Sequence, residues 1–141
     1  MDAAWAVAVA ALFVWLGMVL AISFLEAPLK FRAPGVTLPL GLGIGRLVFR
    51  ALNVSEAVLA AVVVVAFVVQ RPPAGVVAAT AVAVVVLLAQ VVGVRPRLTR
   101  RSDAVLAGAD GPRSHAHYVY VGLELVKVIA LIVAGVTLLA A

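Results

Sequence analysis

The chain has 141 residues, 66% of them hydrophobic and 12% charged, with a mean hydropathy of +1.25, whereas soluble domains are close to half apolar. A net charge of +5 and a pI near 10.8 would suggest nucleic acid in a soluble protein, but here the eleven Lys and Arg gather where they would flank membrane spans, so no nucleic-acid partner is expected. The absence of cysteine excludes disulfides, iron–sulfur clusters and thiolate metal sites.

The composition predicts an all-α integral membrane bundle of four antiparallel transmembrane helices, a single domain over residues 1–141 with the lipid bilayer as its first partner. The first span runs from Ala3 to about Leu25, with Trp5 suited to an interface. Met1 and Asp2 supply no basic n-region and the apolar run outlasts a signal-peptide core, so a retained span is expected. Between Glu26 and Arg46 stand Pro28, Pro34, Pro39 and Gly35, Gly41, Gly43 and Gly45, which predict an interfacial or re-entrant connection rather than a regular helix. These glycines lack the preceding strand and the spacing of a dinucleotide fingerprint.

The second span covers about 47–69 and stops at Gln70-Arg71-Pro72-Pro73. The third, about 76–94, is almost all Ala, Val and Leu, with Thr80 and Gln90 its polar candidates, and is expected to pack through small residues. Arg95 to His115 reads as a solvated loop whose arginines Arg95, Arg97, Arg100, Arg101 and Arg113 anchor lipid headgroups, with Asp103 and Asp110 beside them. The fourth span covers about 116–140. The first and third connections and their flanks hold Lys30, Arg32, Arg46, Arg50 and those five arginines, against Arg71 alone in the second. Positive-inside bias therefore predicts a multi-pass protein of the cell membrane with both termini on the extracytoplasmic side.

An ionisable residue inside a span costs a few kcal/mol unless it finds a partner or water, so the embedded charges are the informative positions. Arg46, Arg50, Asn53 and Glu56 recur at helical spacing along one side of the second span, and His117, Tyr120, Glu124 and Lys127 do so along the fourth. Glu56 lies roughly 15 Å beyond Arg46 and Lys127 roughly 15 Å beyond His117, which predicts a Glu56–Lys127 pair near mid-membrane. By the same count Arg50 comes within reach of Glu124, and Glu26 could join from the first span. Two readings of this network stay open: glue that fixes helix register, or a proton or ion relay or headgroup pocket. His115 and His117 point to different sides of a helix and no cysteine completes a ligand set, so no metal site is expected, while the sequence leaves the cofactor unknown.

The stretch Ala27-Pro28-Leu29-Lys30-Phe31-Arg32 with Gly45-Arg46-Leu47-Val48-Phe49-Arg50 resembles the first connection of small uncharacterised four-span bacterial membrane families, themselves similar to the copper-resistance protein D membrane domain. Arg95-Pro96-Arg97 and His117 agree with that layout. The resemblance implies a bacterial inner-membrane four-helix bundle of mostly unassigned function, with metal or solute handling as one candidate role. Separately, Arg50-Ala51-Leu52-Asn53-Val54-Ser55-Glu56 is similar to the second-helix signature of the membrane-associated proteins in eicosanoid and glutathione metabolism, a trimeric four-span family. Here one residue separates Ala51 from Asn53 where that family has two, which turns Asn53 and Glu56 by about 100° relative to Arg50. Three functions are therefore expected as alternatives: an accessory or transport-related subunit with a buried Glu/Lys/Arg network, a glutathione- or lipid-dependent transferase, or a structural scaffold. A homo-oligomer or a larger membrane complex is expected in each.

Overall fold

The computed structural model describes residues 2–108 and 115–141, and within them the secondary structure is helical, with no strand. Four helices are long and apolar enough to cross a membrane: α1 (Ala3–Arg32), α2 (Leu38–Val69), α3 (Ala74–Leu106) and α4 (His115–Ala140). Arg113 and Asp110 lie outside the described residues.

Local chemistry sets the ends of these helices. Asp2 accepts from the Trp5 backbone N–H at 2.8 Å and caps α1. Thr37 accepts from the Leu40 N–H at 3.3 Å and caps α2, with Pro39 in the first turn, where no intrahelical donor is needed. Gly35 (φ 83°) turns the chain between α1 and α2, and Gly108 (φ 98°) closes α3. Pro72 and Pro73 separate α2 from α3.

Two expected irregular segments are largely helical. Of residues 26–46, those before Ala33 continue α1 and those from Leu38 belong to α2, because Pro28 and Pro39 both occupy first-turn positions and the small glycines do not interrupt the ladder. Gly41 also needs its lack of side chain, since a Cβ there would lie 2.1 Å from the Phe31 ring. Likewise Arg95–Leu106, expected as a loop, extends α3, with Pro96 in a first turn. Each extension follows a π-helical segment, Leu20–Glu26 in α1 and Gln90–Val94 in α3. There the N–H of Ala27 bonds to the Ile22 carbonyl and that of Arg95 to the Gln90 carbonyl, five residues back.

Helix α1 packs along α2 and α4, and α3 packs along α4. Small residues line these seams: Ala8 and Ala11 on α1, Ala60 and Ala66 on α2, Ala79 and Ala83 on α3, and Ala130 and Ala134 on α4 are buried. Gly135 receives the Phe13 ring so closely that a Cβ would stand 2.9 Å from it. Most of the large apolar side chains on the outward faces are Val and Leu, with Val68 81% exposed and Leu47 and Val92 73%. Apolar surface on that scale is not kept in water by a monomer.

Candidate functional site

All four helices contribute one polar side chain or more to a cluster within the apolar bundle. Its centre is Lys127 of α4, which is fully buried. Its ammonium lies 2.6 Å from Glu56 Oε2 on α2 and 2.6 Å from Glu124 Oε1 one turn back on α4, and it donates to Gln90 Oε1 on α3 at 2.7 Å. An ammonium has three donors, and each has an acceptor. Gln90 Nε2 donates to Glu124 Oε1 at 3.0 Å and to the Tyr120 carbonyl at 3.5 Å. From α1, Trp15 Nε1 donates to Glu56 Oε2 at 2.7 Å, and Ser23 Oγ donates to Glu124 Oε2. Glu56 is 0% exposed and Glu124 1%.

The helices place these groups by register. Glu124 and Lys127, three residues apart, share one face of α4. Ser23 lies inside the π segment of α1 and Gln90 opens that of α3, where the wider turn redirects side chains relative to an unbroken helix.

Around the cluster, towards the end of the bundle where α1 leads to α2, lies a cationic and aromatic layer. The Arg95 guanidinium stacks 4.8 Å from the Tyr120 ring and 5.1 Å from that of Phe49, and the two rings meet edge to face at 5.7 Å. Lys30 lies 6.0 Å from the Phe49 ring and 3.7 Å from Glu26. At the rim Arg46 pairs with Asp103 at 2.6 Å, both well exposed.

The expected network is thus partly redrawn. Glu56, Tyr120, Glu124 and Lys127 are buried, and the Glu56–Lys127 contact lies within the chain. Asn53 is half-buried one turn from Glu56. Arg46 and Arg50 are exposed, because α2 starts at Leu38 and carries them on the rim side of the buried level of Glu56. The expected Arg50–Glu124 pair does not form, because Lys127, Gln90 and Ser23 already occupy both Glu124 oxygens. Glu26 pairs with its own neighbour Lys30, and His117, half-buried, sets its ring 5.7 Å from that of Tyr118. Sequence reasoning missed Trp15, Ser23 and Arg95 as members, and named Gln90 as a polar candidate of the third span without placing it in the network. The signal for Gln90 was its isolation as an amide in an Ala/Val/Leu run; Trp15 and Ser23 gave none beyond ordinary span composition.

No protein-family model matches the chain, and no curated protein or solved structure matches it either.

Proposed function

We propose that the chain is an integral membrane protein, an antiparallel four-helix bundle whose buried Glu56–Lys127–Glu124 centre takes up and releases one proton, serving as an accessory or transport-related subunit in a larger assembly or homo-oligomer. Four long apolar helices with outward-facing Val and Leu support insertion. The excess of Lys and Arg at the Arg46 and Arg95 end supports a cytoplasmic location for that end and an extracytoplasmic one for both termini, as in a bacterial inner membrane.

The observation that carries the proton reading is the single unfilled position in the cluster. Glu56 Oε1 is buried and has no hydrogen-bond partner, while the other three carboxylate oxygens each have a donor. Fully ionised, the three residues would hold two negative charges against one positive. The two carboxylates touch the same ammonium, so their nearest oxygens are no more than about 5 Å apart, and at an effective dielectric constant of about 20 they repel by roughly 3 kcal/mol. One proton removes that repulsion, and Glu56 Oε1 is the carboxylate oxygen of the pair that no donor already occupies. The glutathione- or lipid-transferase alternative needs Arg50, Asn53 and Glu56 to face a subunit interface together; Glu56 is enclosed by its own chain, which gives that reading no support.

The test is infrared difference spectroscopy of the protein in lipid during a pH titration. The expected result is a carboxylic C=O band that disappears in Glu56→Gln while the amount of folded protein is held. A band unaltered by Glu56→Gln, or a variant that merely accumulates poorly without any such band in the parent, would leave the cluster as a register device.

A further inference from the structure

On the basic side of the cluster six buried polar atoms besides Glu56 Oε1 lack a hydrogen-bond partner; Ser102 Oγ stands furthest out along α3, and the five nearer the cluster are Glu26 Oε2, which faces the Lys30 ammonium at 3.7 Å, Asn53 Oδ1, Tyr120 Oη, and Nε and Nη2 of Arg95. These five come from α1, α2, α4 and α3 respectively. Each lies about one turn beyond its helix's own member of the cluster, from Ser23 to Glu26, Glu56 to Asn53, Glu124 to Tyr120 and Gln90 to Arg95. All four steps lead towards the same end, where Arg95 touches Tyr120 and Phe49 and Lys30 joins Phe49 to Glu26. Glu26, with its side chain 36% exposed, forms the mouth.

The opposite half has a different character. From the cluster to the chain termini the interior is Leu12, Val63, Val76, Ala83, Leu131 and Leu138, each at most 1% exposed. Thr80 is the buried polar side chain in that half among the described residues, about 15 Å from Gln90 along α3. Water is held inside proteins where two to four polar partners converge and is excluded from apolar lining. One half of the interior therefore offers water several buried polar partners, and the other half offers almost none.

We infer that Glu56 exchanges its proton with one side of the membrane only, through a hydrated track formed by Glu26, Arg95, Tyr120 and Asn53, and that the apolar half is the seal. The inference rests on the membrane and proton reading above. The groups facing Glu56 from the packed helices are Trp15 on α1, and Lys127 with its partners Gln90 on α3 and Glu124 on α4. Of these, Lys127 and Glu124 could pass a proton onward, and both lie on the cluster level rather than in the apolar half.

The lack of native cysteine makes the test direct, because each single-cysteine variant reports on one position alone. Asn53→Cys and Phe49→Cys probe the track, and Val63→Cys and Leu131→Cys the seal, in sealed vesicles of known orientation. The charged thiol reagent 2-sulfonatoethyl methanethiosulfonate is added to one side at a time and the adduct is read by intact mass. Only the thiolate reacts, and a dry setting that costs it 1.36 kcal/mol lowers its population about tenfold. Asn53→Cys is expected to label from the basic side alone, at least about tenfold faster than either seal variant from either side. Phe49→Cys reads the same track should Asn53→Cys fail to accumulate. Absence of labelling at both track positions, labelling of them from the terminal side, or comparable labelling at Val63→Cys overturns the inference. Correct sided labelling without a Glu56-dependent carboxyl band would remove the proton reading alone, whereas that band with an open seal would remove one-sided access alone.

Discussion

Replacing Lys127 by Met keeps the length and apolar stem of the side chain and deletes its charge. Three contacts of 2.6 to 2.7 Å vanish together, which leaves Glu56 and Glu124 facing each other in an interior where both are at most 1% exposed. Removing one partner of a buried ion pair costs about 3–5 kcal/mol, mainly through the uncompensated charge that remains. Replacing the set together, Glu56→Leu, Glu124→Leu and Lys127→Met, leaves no buried charge and strands only the Trp15, Ser23 and Gln90 hydrogen-bonding groups, at about 1–3 kcal/mol for each that finds no new partner. Because the members act as a unit, the triple variant should be much more stable than the sum of its parts. Helical circular dichroism through a titration of mixed micelles with dodecyl sulfate measures the differences. A Lys127→Met cost below about 1 kcal/mol, or a triple variant no more stable than the sum of the singles, would refute the view that the ammonium is the shared counter-ion of both carboxylates.

Other substitutions sort the cluster by what each group satisfies. Trp15→Phe keeps the ring and removes one of the two donors to Glu56 Oε2, so the same titration should show a loss of about 1–2 kcal/mol. Gln90→Leu deprives a buried ammonium of an acceptor and should cost about 1–3 kcal/mol, although α3 keeps its helical propensity. Arg46→Ala breaks an equally short contact with Asp103, but in solvent, and should change stability by less than about 1 kcal/mol. Gly135→Leu forces bulk against the Phe13 ring between α4 and α1 and should cost about 1–3 kcal/mol, with Gly135→Ala nearer neutral because the ring tip can shift.

Helix count was legible because hydropathy reads directly on apolar runs of this length, and Pro72-Pro73 marks a true break. Helix ends were not. Pro28, Pro39 and Pro96 read as breakers from sequence, yet each sits where a helix tolerates it, in a first turn or just after a π segment, and a sequence pattern does not show a π turn. The same offset explains the site. Spacing placed Glu56 and Lys127 at one depth because both helices run regularly between the rim and the cluster. It suggested Arg50 for Glu124 because reach along a helix says nothing of which face a neighbour occupies, and the nearer cation three residues away on α4 took that place.

The two π segments tie the irregularities of the fold to the cluster. A proline ring clashes with the carbonyl four residues back and offers no N–H to it, so Pro28 and Pro96 would otherwise break α1 and α3 one turn past the cluster. Widening the preceding turn absorbs each proline with no break in the helix, and it is within those widened turns that Ser23 and Gln90 reach Glu124 and Lys127. Restoring regular geometry in α3 by Pro96→Ala should therefore act at a distance. If the π turn relaxes, Gln90 rotates away from Lys127, and the variant should lose stability even though alanine is the better helix former. A gain in stability would mean that proline does not hold the turn, and that the demand of Lys127 for a third acceptor shapes α3 instead.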